Sequence, residues 1–293
     1  MLEVQHLTRR YGENIAADDV SFTVGKGQMI GFVGGNGAGK TTTMRMMMGL
    51  LPPDSGEVLW QGRPATFADR SHFGYMPEER GLYPKQPILE QLVYLARLKG
   101  MSAPAARAEA TQILERFGLG ARLKDKLEKL SLGNQQRVQI AAAVMANPTC
   151  LVLDEPFSGL DPAAIDQMAD LLRERAADGI PVLFSSHQLD LIDRLCDGLV
   201  ILAKGRVVAK GSKDDLESRG RVRHRLVTSV DAGWVRDIPG VQADDVAGCT
   251  ALLEFTEAGA ERAVLTEALR RGEVYELTRI RPTLSEIYRE VAA

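Results

Sequence analysis

The chain has 293 residues, with 36 Lys and Arg against 39 Asp and Glu, a formal charge of −3, and hydrophobic and charged fractions of 45% and 26%. Such proportions belong to a globular chain and exclude disorder, a collagen-like repeat and a small disulfide scaffold. A chain of this length can bury a large core in one or two domains, and its near-neutral charge lacks the basic surplus of a nucleic-acid binder.

Alternation in Leu2-Glu3-Val4-Gln5 and in Val20-Ser21-Phe22-Thr23-Val24 predicts half-exposed strands. Gly25-Lys26-Gly27 marks a turn, and Met29-Ile30-Gly31-Phe32-Val33 reads as a short buried strand running into the glycine-rich stretch 34–39. Residues 41–48 favour helix, stopped by Gly49-Leu50-Leu51-Pro52-Pro53; Met44, Met46, Met47 and Met48 on it read as core packing. From about 87 to 147 the pattern turns helical. Leu89, Leu92, Val93 and Ala96 recur at helical spacing, a second helix is expected over 104–117, and a third from Ser131 to Ala146 before Asn147-Pro148. This reads as a helical subdomain set into an α/β body. Buried strands return at 151–153 and 182–185 with a helix near 162–177 between them, and a strand–turn–strand follows around Lys204-Gly205.

No lysine follows Lys213. The tail predicts strands at 222–230, 251–255 and 274–280 and helices at 258–270 and 283–292. Thr283 and Glu286 are spaced as a capping box, with Leu284, Ile287, Tyr288 and Val291 on one stripe. Two domains are therefore expected, 1–218 and a small α+β appendage over 221–293.

Cys150, Cys196 and Cys249 are odd in number, far apart and without metal-ligand spacing, as expected of reduced thiols in a cytosolic protein. The start, MLEVQHLTRRYGEN, lacks the apolar run of a signal peptide, and no stretch approaches the ~20 apolar residues of a membrane span. Any membrane role is expected to run through a partner.

Residues Gly34-Gly35-Asn36-Gly37-Ala38-Gly39-Lys40-Thr41, followed by Thr42, match G-x-x-x-x-G-K-[ST] between a buried strand and a helix. Glycines let successive backbone N–H groups turn inward onto phosphate oxygens, and the helix N-terminus adds its partial positive charge. Lys40 would reach the β- and γ-phosphates, and the Thr41 hydroxyl would ligate Mg²⁺. The plainer reading, a glycine-rich turn, arises by chance in a chain this long on the order of one time in a hundred. Leu151-Val152-Leu153-Asp154-Glu155 ends a buried strand in two carboxylates, where ligands of parallel sheets sit. Asp154 would hold Mg²⁺ and Glu155 would orient or deprotonate the attacking water. Phe184-Ser185-Ser186-His187 is a second short strand ending in a polar residue, and His187 could bond the γ-phosphate and the water.

Together these residues resemble the nucleotide-binding subunits of ABC transporters. Leu130-Ser131-Leu132-Gly133-Asn134-Gln135-Gln136-Arg137 resembles the family signature LSGGQ followed by Q-R, Ser158-Gly159-Leu160-Asp161 the D-loop, His187 the switch histidine, and Tyr11 the aromatic that stacks on adenine. The resemblance covers about 2–218. It implies a P-loop NTPase core of α/β class with an antiparallel β subdomain and an inserted helical subdomain. Leu132 and Asn134 depart from the signature, which keeps the Ser131 hydroxyl and the Gly133 N–H; Glu78 stands where the family has a Mg²⁺-ligating glutamine. Pro77-Glu78-Glu79-Arg80-Gly81-Leu82-Tyr83-Pro84 resembles the branch of sodium-extrusion and antibiotic-efflux subunits, which carry a small C-terminal domain.

The resemblance implies an ATPase with ATP and Mg²⁺ held by Thr41, Glu78 and Asp154. It implies a second copy whose Ser131, Gly133, Asn134 and Asp161 close over the nucleotide head to tail. It implies a separate transmembrane permease on the inner face of the membrane, in an exporter, with no nucleic acid. The exposed-looking Arg80, Tyr83 and Pro84 beside Glu78 mark the groove near 78–83 as the expected docking place, the plainer reading being an ordinary solvated loop. The rival is an ATP-binding regulatory or assembly module without turnover. Intact Lys40, Asp154, Glu155 and His187 speak against it.

Overall fold

The structure is a computed structural model and describes residues 1–293 except Arg80, Gly220, Arg221, Arg281, Pro282 and Ala293. The chain divides into two compact units, Met1–Lys213 with Val291–Ala293, and Asp214–Glu290.

In chain order the first unit carries β1 (Leu2–Tyr11), β2 (Asn14–Val24), β3 (Met29–Gly34), α1 (Lys40–Met47), β4 (Ser55–Trp60), β5 (Arg63–Pro64), α2 (Phe67–Ser71) and β6 (Phe73–Met76). There follow α3 (Ile88–Leu98), α4 (Ala103–Arg116), α5 (Leu132–Val144), β7 (Cys150–Leu153), α6 (Pro162–Ala177), β8 (Val182–Ser186), α7 (Leu189–Leu195), β9 (Gly198–Ala203) and β10 (Arg206–Ser212). Two sheets form. One is antiparallel, in the order β2-β1-β4-β5; the other runs β10-β9-β3-β8-β7-β6 and is parallel from β9 to β6. Every residue of β3, β7 and β8 is buried, which is why these strands are apolar runs without alternation.

Leu2, Leu7, Val20 and Phe22 from the antiparallel sheet pack with Phe32, Val152 and Leu183 of the parallel one, and Met44, Met46 and Met47 of α1 belong to the same core. The methionine run is therefore packing, as its helix position suggests. The helical segment is not a separate layer throughout. A Cβ on Gly74 of β6 would collide with the Ala143 carbonyl, so α5 lies directly on the parallel sheet. This explains why α5 buries Gln136, Val138, Gln139, Ile140, Ala141 and Ala143 around most of its circumference. It ends at Val144, two residues before the expected stop, and Ala146 and Asn147 then take φ of +65° and +47°.

The second unit begins within α8 (Lys213–Arg219) and continues with β11 (Arg223–Thr228), β12 (Val241–Ala247), β13 (Thr250–Phe255), α9 (Ala260–Arg271), β14 (Val274–Ile280) and α10 (Leu284–Ala292). Its sheet is antiparallel, in the order β12-β13-β11-β14, with Leu226, Trp234, Leu253, Val264 and Ala268 in its own core. That order is the ferredoxin-like split arrangement, with a 3-10 turn at Gly233–Asp237 in place of the first helix. Strand β12 lies outside the expected pattern because Asp244-Asp245 interrupts its alternation where a bulge occurs. The capping box of α10 forms: Glu286 Oε2 accepts from the Thr283 N–H at 2.8 Å, and the Thr283 hydroxyl accepts from the Glu286 N–H at 3.3 Å. Among the described residues no helix is long and apolar enough to cross a membrane.

Candidate nucleotide-binding site

The loop between β3 and α1 wraps a cavity of about 400 Å³. Gly39, the residue before α1, has φ +100°, and a Cβ there would run into the Ala16 carbonyl. Only glycine lets the loop close this tightly against β2. No side chain caps α1 and its first turn holds no acid, so its N–H groups are left for an anion. Lys40 is nearly buried. Its Nζ donates to the Gly34 carbonyl at 2.6 Å and the Gly35 carbonyl at 3.2 Å, which holds the ammonium along the inside of the loop.

The cavity collects most of the expected residues. Gly35 to Thr42 line it, with Tyr11 and with Glu78, Asp154 and Glu155 from the ends of the parallel strands. Gly34 bounds it through its bond to Lys40. Asn14 and Ala16 also line it, and nothing in the sequence singled them out. At the far end Arg9 stands over the Tyr11 ring, 5.3 Å from its centroid, and is anchored by Asp54 at 2.8 Å.

Asp154 is 1% exposed. Its Oδ1 accepts from the Ser185 hydroxyl at 2.6 Å, and its Oδ2 is buried without a partner. An unpaired buried carboxylate oxygen is costly, and a cation is the natural partner for it. Thr41 Oγ1 donates to Glu78 Oε2 at 3.4 Å in the same cavity. One hydroxyl and two carboxylates, with room for phosphate oxygens, fit Mg²⁺, which needs few protein ligands.

Glu155 has φ +49°. Its N–H donates to Ser185 Oγ at 2.7 Å, and its Oε2 lies 3.0 Å from His187 Nδ1. Two residues far apart in the sequence thus meet beside the cavity, whose wall Glu155 lines. Ser185 and Gln136 contribute by tertiary proximity alone. The only sign of Ser185 in the sequence is a pair of serines, Ser185-Ser186, ending an apolar buried strand.

The signature residues do not join this cavity. Ser131 is the N-cap of α5 and accepts from the Asn134 N–H at 3.4 Å; Leu132 beside it is 60% exposed. Gly133 lies against Gly159, whose carbonyl a Cβ would approach to 3.0 Å. Asp161 caps α6 through the Ala164 N–H at 2.9 Å and pairs with Arg137 at 3.1 Å. The Ala164 N–H and Arg137 hold its carboxyl below the usual range.

Residues 17–158 match the family model described as ABC transporter, and residues 211–292 match that of the ATP-binding protein DrrA1-3-like C-terminal domain. The uncharacterized ABC transporter ATP-binding protein YhaQ of Bacillus subtilis (strain 168) is 36% identical over 291 residues, covering 99% of this chain and 98% of YhaQ. The linearmycin resistance ATP-binding protein LnrL of the same organism is 35% identical over 222 residues, covering 75% of this chain and 71% of LnrL. The dimeric bacterial ABC transporter cassette MJ0796 has the same fold, with a TM-score of 0.67 at 25% identity over 72% of this chain and 98% of the cassette. A phosphate-binding loop, two strand-end carboxylates and relatives along the whole length agree: the chain belongs to the ABC transporter ATP-binding proteins and is an ATPase of that family.

Proposed function

We propose that this ATPase drives an exporter by closing and opening as a head-to-tail pair on a separate permease. The observation that carries the pairing is the division of the motifs. Lys40, Asp154 and Glu155 share one cavity, whereas Ser131, Gly133 and Asn134 sit at an outward helix start that no group of the same cavity meets. A second copy brings that helix start to the open side of the nucleotide, with two-fold symmetry. The resistance named for LnrL supports outward transport.

In this reading Tyr11 stacks on the adenine, and the N–H groups of 35–42 with Lys40 hold the phosphates. Thr41, Glu78 and Asp154 would hold Mg²⁺, which would supply charge neutralisation to the phosphates. Water attacks the γ-phosphorus, its proton passes to Glu155, the bond to the β-phosphate oxygen breaks, and ADP and phosphate leave. His187 holds the Glu155 carboxylate in line and meets the γ-phosphate. Ser131 and the Gly133 N–H of the second copy stabilise the charge on the transferred group, with Asn134 and Asp161 beside them.

The permease docks in the apolar cleft of about 360 Å³ between β6, α3 and α5, lined by Phe73, Pro77, Leu82 and Leu98, with Tyr83 exposed next in the chain. Arg80, expected at the same contact, lies outside the described residues. The chain then works at the inner face of the membrane, and residues 221–293 form an accessory domain to the ATPase body at 1–218.

One experiment on the ATPase reconstituted with its permease tests the whole. Glu155→Gln is expected to cut phosphate release ~10²-fold or more and to stop transport, with ATP still bound. Tyr83→Ala is expected to stop transport alone. Wild-type hydrolysis in Glu155→Gln would remove the base, and wild-type transport in Tyr83→Ala would move the docking site elsewhere.

A further inference from the structure

Gln136 lies in the second turn of α5 and is 8% exposed. A buried amide must spend its donors, and Gln136 spends them on main chain: Nε2 donates to the Glu155 carbonyl at 3.0 Å and to the Pro156 carbonyl at 3.1 Å. The residue it grips is unusual. Glu155 holds a left-handed φ of +49°, a conformation that persists in a non-glycine residue only where the surroundings over-determine it. Here the constraint comes from two sides. Ser185 Oγ fixes the Glu155 N–H at 2.7 Å, and its carbonyl is held by Gln136 together with the Ser158 N–H at 3.2 Å. The side chain is thereby turned to His187 Nδ1, 3.0 Å from Oε2.

Two more contacts join the same helix to the same segment. Gly133 packs on Gly159 too closely for a larger residue to enter freely, and Arg137 pairs with Asp161 at 3.1 Å. The start of α5 and residues 155–161 are thus fastened at three points, and only the Gln136 bonds reach the main chain of Glu155 itself.

We propose that Gln136 is a positioning residue for the hydrolytic step, holding the Glu155 backbone in its left-handed turn so that the carboxylate faces the attacking water. The proposal rests on the reading of Glu155 as the base. It also makes the helix that begins at Ser131 and the Glu155 turn a single body, so a displacement of the helix start is passed to the carboxylate. A misaimed base slows chemistry without loosening the substrate, because Gln136 does not line the cavity and its side-chain bonds go to the Glu155 and Pro156 carbonyls.

The test uses the full chain with Gln136→Met, which keeps the volume and removes the donor, and Gln136→Glu, which sets an acceptor against two carbonyls. Each is made alone and with Glu155→Gln. The readouts are kcat, KM for ATP, ATP affinity by titration and the melting temperature. The expected result for Gln136→Met is a fall in kcat of about tenfold or more at unchanged KM and ATP affinity. Gln136→Glu is expected to fall at least as far, and neither to slow the Glu155→Gln protein more than about twofold, since a base already lost cannot be misaimed. A kcat within twofold of wild type for Gln136→Met would overturn the proposal. So would an equal fractional loss in the Glu155→Gln background, the mark of a merely structural role. Wild-type turnover in Glu155→Gln alone would instead remove the base, whatever the Gln136 variants do.

Discussion

Asp154 sets the electrostatics of the cavity. One oxygen is taken by Ser185 and the other is buried and free, so the carboxylate is built to meet a cation. Asp154→Asn keeps the size and can keep the Ser185 contact, but removes the charge. Titration calorimetry is expected to show ATP binding in the presence of Mg²⁺ weakened by about 10–100-fold, with binding in EDTA nearly unchanged. Equal weakening in both would place the metal on other ligands. At this scale the sequence is legible wherever the chemistry dictates a residue type. A phosphate loop needs glycines, a lysine and a threonine in fixed order, and Lys40, Thr41, Asp154 and Glu155 can be read straight off. Ser185 and Gln136 cannot, because their partners are brought to them by the pairing of β8 with β7 and by the packing of α5.

Elements with a strong local pattern or a clear cap are legible in the same way. The buried runs of β3, β7 and β8 and the helices α3, α4 and α6 follow from apolar period and length. The strands β4 and β12 do not, because exposed and charged residues such as Glu57, Asp244 and Asp245 mask their alternation. The box at α10 offers a test. The Thr283 N–H holds the Glu286 carboxyl below the usual glutamate range, with the Thr283 hydroxyl and Arg223 acting the same way. A carboxylate whose pKa is depressed on folding stabilises the fold above its unfolded pKa, and the gain is lost as pH falls through the folded value. Glu286→Gln is therefore expected to cost about 1 kcal/mol at pH 7 and progressively less on acidification below the ordinary glutamate pKa, as read by urea unfolding of the C-terminal unit. A cost independent of pH would show that the charge does not contribute.

The whole molecule is two units, each with a core of its own, and the phosphate-loop cavity lies in the larger. Fold and family were legible here because several short motifs occur in one order over most of the chain. The proposed division of labour between copies is legible only as a resemblance, since Ser131, Gly133 and Asn134 do not line the cavity of their own chain. Ser131 caps its helix and does not line Lys40's cavity, so the account requires that hydrolysis belong to the pair. The direct measurement is phosphate release per protomer across a dilution series, for the natural chain and for Ser131→Arg. The account predicts a per-protomer rate that falls on dilution, and negligible release from Ser131→Arg at every concentration. A rate that ignores dilution and survives the arginine would contradict it.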